Sequence, residues 1–333
     1  MARKGNRPTL RDVASAAGVS LQTVSNVLNN PERVAPATRE RVTADIARLG
    51  FRPNVAARSL RKRRADALGI QIPAVGARGF GTIHDAFLSA LTVAAQEDNA
   101  HLIPFVTEGS RSIDEYEQLV AAGTVDGFVL TDTHPGDPRP EWLRERDIPF
   151  VSFGRIWDDP AITDWVDVDG AAGTAAAVAH LADAGYARVG FLGWPEGSAT
   201  GDDRLRGWQR GCADVGLEQG PVVRVTQDVA AARRGASELL AQLEAGDAIV
   251  CVSDTVALGV LLELDKHGWR SGDDIGVVGF DDTELSSVFG LSTIRQPVGR
   301  IAAHVLSRLR GEQPRSTGTL ITPRLVARRS TTR

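Results

Sequence analysis

Residues 9–30 read TLRDVASAAGVSLQTVSNVLNN, two short helical patterns that meet at a glycine. Thr9, with Asp12 three residues on, forms a capping-box-like start. Leu10, Val13, Ala14 and Ala17 then share one helical face. Gly18 suits the left-handed turn that ends this helix, because it carries no Cβ to clash there. Ser20 caps the next helix, Leu21 to Asn29, whose buried stripe is Val24, Val27 and Leu28. The pattern is a helix-turn-helix, and its second helix is narrow enough for a DNA major groove. Gln22, Ser25, Asn26 and Asn29 face outward from it. They are polar and uncharged, and Gln and Asn pair bidentately with adenine. An ordinary helical hairpin with a wet face is the competing reading, and the flanking sequence weighs against it.

Pro31 breaks the second helix, and a third is predicted to start near Pro36, with Val42, Ile46 and Leu49 as its stripe and Gly50 as its stop. These helices enclose one small core, marginal for about fifty residues. Next comes FRPNVAARSLRKRR, residues 51–64. Pro53 blocks continuation, Asn54 can cap a new helix, and residues 55–60 allow about two turns before the basic run Arg61 to Arg64. So short a helix needs a partner to hold it, such as DNA and a second copy of the chain; a solvated basic linker is the alternative.

Charge is distributed unevenly. The 333 residues carry a net −4, yet residues 1–65 alone carry +10 and the remainder −14. A basic head on an acidic body is the electrostatic footprint of a DNA-binding module, the body repelling DNA so that only the head docks. No apolar run reaches the length of a membrane span, and the basic N-terminus lacks the apolar core of a signal peptide, so a cytoplasmic location is expected. Cys212 and Cys251 sit within apolar patterns and read as buried thiols.

From Ala67 onward strands and helices alternate. ALGIQI, HLIPFV, GFVL and PFVSF read as strands, with helices at 83–98, 112–122 and 140–146. A second series follows: helix 170–184, strand RVGFLG, helix 203–215, strand VVRV, helix 229–245, strand AIVCV, helix 254–267 and strand IGVVGF. This predicts two doubly wound lobes of parallel sheet, with a ligand held between them at the strand C-termini.

The residues carry a specific resemblance. TLRDVA, AGVS, TVS-VLN, TRERV, LGFRPN and AARSL in the head, and DGFVL, PFVSFGR, HLADAGYARVGFLG, SDTVALGVL, IGVVGFDD and STIRQP in the body, resemble the LacI/GalR family of bacterial transcription regulators over residues 9–327. The resemblance implies a three-helix helix-turn-helix head (1–50), a hinge helix and linker (51–66), and a two-lobed periplasmic-binding-protein-like α/β core (67–333). Lobe 1 is then about 67–166 and 297–319, lobe 2 about 167–296 and 320–333, with crossings near 166, 296 and 320. It further implies that Leu21, Gln22 and Asn26 read operator bases and that Ser25 and Asn29 contact backbone or nearby bases. Thr9, Ser20, Thr23, Asn54 and Arg61 complete the DNA-binding set. Paired hinge helices would enter the minor groove, with Leu60 wedged into the central base step and Ala57 beside it. Two positions depart from the family pattern: Ala35 replaces a Ser or Thr cap, and Asn26 stands where many members have Arg.

In the body the resemblance assigns Arg204 to clamp sugar hydroxyls or a carboxylate and Asp281 to accept from effector hydroxyls. Arginine suits the first role through its planar fork of donors. Ser253 and Asp254 match a polar pair near the cleft; Phe80, His84, Asp132 and Arg155 lie just beyond predicted strands or at a helix start. Arg204 and Asp281 could instead simply pair with each other or with helix ends. Val298 replaces a stacking aromatic of some members. Trp157, Trp165, Trp194 and Trp208 fall in or near loops expected to border the cleft, which favours a sugar, whose C–H faces stack on indole; packing in the core or on a lobe surface is the alternative for each. The loops TDTHPGDPR and GWPEGSATGDDR are similar to those of actinobacterial regulators of cellobiose or related glucoside use.

Enzyme readings find little support. GARGFG at 76–81 misses the dinucleotide-binding spacing, no Walker A sequence occurs, and the six histidines show no metal-ligand spacing. Paired aspartates leave a sugar hydrolase open, and a transport sugar-binding protein would explain the body but not the head. The expectation is a homodimeric, non-enzymatic repressor of a pseudo-palindromic operator, released by a small sugar, without cofactor, metal or membrane partner. A non-sugar effector, or a co-repressor of opposite polarity, is the alternative. The tail LVARRSTTR lacks leucine heptads, so no tetramerising tail is expected.

Overall fold

The structure, a computed structural model, describes residues 8–51, 65–72, 82–107, 113–312 and 317–332. The chain divides into two compact units, Met1–Ala65 and Asp66–Arg333. Asn54, Ala57, Leu60, Arg61 and Phe80 lie outside the described residues.

In the first unit α1 (Leu10–Ala17), α2 (Leu21–Asn29) and α3 (Pro36–Leu49) surround Val13, Val24 and Val42, none of which reaches solvent. The capping box is formed in both directions: the Thr9 amide donates to Asp12 Oδ2 at 2.7 Å, and the Asp12 amide donates to Thr9 Oγ1 at 3.4 Å. Gly18 and Gly50 close α1 and α3 in the left-handed conformation, at φ +61° and +63°. Arg41 Nε donates to the Ala17 carbonyl at 3.1 Å and so satisfies the end of α1 from across the core. Ala35 caps α3 with no side-chain bond, leaving Pro36 to set the first turn. Phe51, just past α3, folds back over the core.

The second unit holds two six-stranded sheets. Its strands are β1 (Ala67–Gln71), β2 (His101–Phe105), β3 (Gly127–Leu130), β4 (Phe150–Phe153), β5 (Trp165–Val168), β6 (Arg188–Gly193), β7 (Glu218–Arg224), β8 (Ala248–Cys251), β9 (Gly276–Asp281), β10 (Ser292–Arg295), β11 (Thr319–Ile321) and β12 (Arg324–Val326). One sheet has the order β11-β5-β4-β3-β1-β2 and the other β12-β10-β9-β8-β6-β7. All pairings are parallel except β10 with β12. The crossover helices are α4 (Thr82–Glu97), α5 (Asp114–Ala121), α6 (Arg139–Glu145), α7 (Gly170–Asp183), α8 (Ala199–Val215), α9 (Val229–Leu240), α10 (Asp254–Lys266) and α12 (Val298–Leu309), with the single turn α11 (Glu284–Val288) after β9. Near-continuous burial of β3, β8 and β9 is what sheets covered on both faces require.

The chain leaves the first sheet after Val168, re-enters it after β10 and leaves it finally after Ile321. The crossings expected near 166, 296 and 320 thus fall after Val168, after Arg295 and after Ile321. Three element ends differ from the sequence pattern by four or more residues. α8 starts at Ala199 rather than 203, α9 ends at Leu240 rather than 245, and β7 starts at Glu218 rather than 222.

α7 and α8 pack unusually close. A Cβ on Gly207 would overlap the Ala171 carbonyl and the Thr174 hydroxyl, and one on Gly211 would lie 2.9 Å from the Ala175 Cα. Thr174 Oγ1 donates to the Arg204 carbonyl at 2.7 Å across this contact. The glycines thus seat α8 against the start of α7 and fix where Asp203 and Arg204 project.

Candidate functional site

On α2, Ser20 accepts from the Thr23 amide at 3.1 Å, and its hydroxyl lies 2.9 Å from Thr23 Oγ1. Thr9, Ser20 and Thr23 therefore spend their side chains on helix starts. Leu21 is 45% exposed at the first turn, and Gln22 and Asn29 are also exposed. Gln22 Nε2 donates to Asn26 Oδ1 at 3.1 Å, while Asn29 Nδ2 donates to the Ser25 carbonyl at 2.7 Å. The helix surface is a row of neutral amides with an apolar residue at its leading end, and α2 contains no charged residue.

In the second unit a cavity of about 870 Å³ opens at the C-terminal ends of the strands. One wall comes from His84 on α4, the loop after β3, the loop after β4, and Asp167 on β5. The other comes from the start of α7, Trp194 after β6, the first turns of α8, and Asp281 at the end of β9.

Arg204 is 5% exposed and reaches the cavity from α8. Its Nη1 donates to the Val252 carbonyl at 2.5 Å, and its guanidinium carbon sits 3.6 Å from the Phe280 ring centroid and 5.4 Å from that of Trp194. Its Nη2 lies 3.9 Å from Asp281 Oδ1, which accepts from Gln296 Nε2 at 2.6 Å. Burial raises the Asp281 pKa, and the Arg204 charge and the Gln296 bond oppose it. Asp281 and Asp282 have φ of +117° and +58°, a region that costs a residue bearing a Cβ energy and persists where surroundings enforce it. Here Asp282 is the anchor: it is bonded by Arg295 and by Arg328 Nη2, the latter at 2.7 Å. The two consecutive aspartates thus diverge, one into the cavity and one into the lobe.

Arg155 joins the lobes. Its Nε donates to Asp167 Oδ2 at 2.8 Å on its own lobe, and its Nη2 donates to Asp203 Oδ2 at 2.6 Å on α8. The Trp157 ring lies over its guanidinium at 4.3 Å. His84 Nε2 stands 3.0 Å from Asp132 Oδ1. Burial would lower the His84 pKa, but the bond to Asp132 and the charges of Asp132, Asp281 and Asp85 outweigh it and raise it. Trp194 Nε1 donates to Gln227 Oε1 at 2.7 Å, which also accepts from Ser253 Oγ at 2.8 Å.

Of the residues singled out from sequence, Arg204, Asp281, His84, Asp132 and Arg155 meet around one cavity. Ser253, Asp254 and Trp208 do not line it. Ser253 is wholly buried and caps α10, its Oγ accepting from the Val256 amide at 3.3 Å. Asp254 is buried behind the wall, accepting from Thr293 Oγ1 at 2.5 Å and the Thr283 amide at 2.7 Å. Burial, with the Asp281 charge, pushes its pKa up to about 7 against those bonds. Trp208 is 1% exposed and packs on Phe191 at 5.7 Å between centroids, because it lies one turn beyond Arg204 on the core side of α8. Trp194 is the one of the four proposed tryptophans on the cavity wall; Trp157 backs Arg155, and Trp165 packs at Gly318. Sequence reasoning missed Asp167, Asp203, Gln227 and Gln296 as wall residues. A signal existed for Asp167, a lone charge in the otherwise apolar strand WVDV, and for Asp203, next to Arg204.

A helix-turn-helix head with an uncharged reading face, joined to a two-lobed body with a polar cleft, defines a DNA-binding transcription regulator. Residues 9–54 match the model of bacterial regulatory proteins of the lacI family, and residues 178–331 match that of a periplasmic binding protein-like domain. The HTH-type transcriptional regulator CelR of Thermobifida fusca is 32% identical over 341 residues, covering 97% of this chain and 98% of the relative. A solved complex of transcriptional regulator CelR with cellobiose aligns at 27% identity and TM-score 0.72, covering 97% of this chain and 100% of that one. A structure of the Lac repressor bound to ONPG in the repressed state aligns at 25% identity and TM-score 0.79, covering 98% of this chain and 100% of that one. The chain belongs to the LacI family of bacterial regulatory proteins. No helix among the described residues is long and apolar enough to cross a membrane.

Proposed function

We propose that this regulator is a cytoplasmic homodimeric repressor, without enzymatic activity, that leaves a pseudo-palindromic operator when a small sugar, cellobiose or another glucoside, enters its cleft. The observation that carries the sugar reading is the pairing of Arg204 and Asp281 beside Trp194 on one cavity wall. A buried guanidinium fork donates to vicinal oxygens, a carboxylate accepts from hydroxyls, and an indole face covers sugar C–H groups. His84, Asp132 and Arg155 supply the polar groups of the facing wall. The complex of the similar regulator CelR with cellobiose supports the same ligand class.

In the head, Leu21, Gln22 and Asn26 read base edges, and Thr9, Ser20, Thr23, Ser25 and Asn29 place helix starts and polar groups near the backbone. Gln and Asn amides favour adenine, and the exposed Leu21 suits a thymine methyl group. Asn54, Ala57, Leu60 and Arg61, outside the described residues, are assigned to the hinge, with Leu60 as the minor-groove wedge. A two-fold dimer places two heads on half-sites about one helical turn apart. Because Arg155 bonds carboxylates on both lobes, a sugar that competes for Arg155 or Asp203 changes how the lobes are held and so biases the hinges.

The deciding measurement is binding of operator fragments by the purified chain at one stated salt concentration, with and without cellobiose and other glucosides. Release by one sugar is expected. Tighter binding reverses the polarity to co-repression, and indifference to every sugar overturns the carbohydrate reading while leaving the family assignment intact.

A further inference from the structure

We propose that Arg139 is a positioning residue of the cleft, fixing the backbone of Asp132 and so aiming that carboxylate at His84; its effect on ligand binding rests on the sugar reading above. Arg139 opens α6, is 4% exposed and, unlike Asp132, does not line the cavity. Its Nε donates to Asp137 Oδ1 at 2.9 Å and its Nη2 to Asp137 Oδ2 at 2.7 Å, a bidentate pair. The rest of the fork is turned to the loop after β3 and to the end of β1. Nη2 donates to the Thr131 carbonyl at 2.9 Å and to the Asp132 carbonyl at 3.4 Å, and Nη1 donates to Gln71 Oε1 at 3.1 Å.

Those two carbonyls belong to the peptide units on either side of the Asp132 Cα, so a group that bonds both restricts φ and ψ there. Asp132 needs the restraint. Its φ is +53°, a conformation that costs an L-residue energy and persists where surroundings enforce it. Its side chain is 59% exposed, so packing does not fix its direction, yet Oδ1 stands 3.0 Å from His84 Nε2 on the cavity wall. Arg139 is itself held from the far side. The Tyr116 hydroxyl donates to Gln71 Oε1 at 2.9 Å, and Gln71 Nε2 donates to Thr107 Oγ1 at 2.9 Å. Tyr116 is wholly buried and meets Phe105 edge-on, with ring centroids 4.8 Å apart. Position is thus passed from the core of the first lobe, through Gln71 and Arg139, to a carboxylate in the cleft.

Fold stability alone is a poor account of this arrangement. Desolvation offsets most of the attraction within a buried ion pair, and apolar residues of similar volume often hold an element as well. What an apolar pair cannot do is bond two loop carbonyls. A lysine cannot replace the arginine either, since its ammonium has no planar fork to span Asp137, Gln71 and the loop together. The same loop is tied on at Thr133, whose hydroxyl donates to the Arg155 carbonyl at 2.9 Å.

The test is Arg139→Lys in the full-length protein, read in two ways. The first needs no ligand: an NMR titration of the His84 ring, its resonance identified by loss in His84→Gln. Burial lowers the His84 pKa, while the bond to Asp132 and the charges of Asp132, Asp281 and Asp85 raise it above its ordinary value. Arg139→Lys leaves Asp281 and Asp85 in place, so the midpoint is expected to move down, toward that of Asp132→Asn. The second reading is calorimetry with cellobiose. Affinity is expected to fall roughly tenfold, the worth of one hydrogen bond to a charged group, and Arg139→Lys is expected to add less than about twofold in an Asp132→Asn background. An unmoved His84 midpoint overturns the proposal. So does a loss of affinity of equal size with and without the Asp132 carboxylate, which would mark a general loosening of the lobe. If Arg139→Lys does not fold, Arg139→Met combined with Asp137→Leu removes the buried pair as a unit and is read the same way. Absence of binding by every sugar in the wild type removes the sugar reading and leaves the His84 titration to decide the positioning.

Discussion

In the head, nine consecutive residues of α2 carry both the packing stripe and the contact face, so fold and function are read from one helical period. In the body, the cavity wall is gathered from positions between Ile83 and Gln296, on both sheets, and no segment of it is informative alone. The head's charged groups lie off the reading helix; the cleft's charges pair with one another across loops and lobes. A local site tolerates change elsewhere in the chain so long as its small core survives. A tertiary site depends on every element that aims a side chain into it.

The sharpest way to separate the regions is Phe51→Ala. Truncating a buried aromatic costs about 3–5 kcal/mol, enough to unfold a core this small. Operator binding should vanish while the body's calorimetric transition and sugar affinity persist; a body transition that moves equally would show that the units are not independent. The mirror experiment is Arg204→Ala. Loss of a charged donor is worth about 1.5–3 kcal/mol, so sugar affinity should fall roughly 10- to 150-fold with operator affinity in the absence of sugar preserved. An unaltered sugar response would move the clamp off α8.

Leu60→Gly addresses the segment between the two regions. Removing one buried apolar side chain should weaken specific operator binding by about 1.5–3 kcal/mol and leave sugar affinity unchanged. Equal operator affinity in the variant would dismiss the wedge. The smallest effect is a pH slope in the body. Asp254 is raised from 3.8 to about 7, so the folded protein holds a proton that the unfolded chain has lost. Stability should fall as pH rises from about 4 towards 7 and then level, and Asp254→Asn should flatten that slope in thermal melts. An equal slope in the variant would assign it to another group.

Legibility followed the range of the interactions. The Thr9–Asp12 box, the Ser20 cap, the glycine stops at Gly18 and Gly50 and the alternation of strands and helices are all set by neighbours within a few residues. Arg204 and Asp281 were also legible, through a family resemblance rather than through physics. Trp208 was misplaced because its position in sequence, near a loop, says nothing about which face of α8 meets the core. Ser253 and Asp254 end a strand at the right depth, yet capping and the Thr293 and Thr283 bonds turn them inward. Asp167 and Asp203 become wall residues only because Arg155 reaches both.

The sequence by itself determined the two-unit organisation, the uncharged reading helix, the charge asymmetry and the parallel α/β body, since periodicity, caps and composition are properties of short windows. The tertiary structure alone decided which carboxylates face which cations and which tryptophan meets the cavity. Those outcomes depend on close helix contact at Gly207, on strand order and on the φ-positive turn at Asp281 and Asp282, which bring residues distant in the chain within a few ångströms.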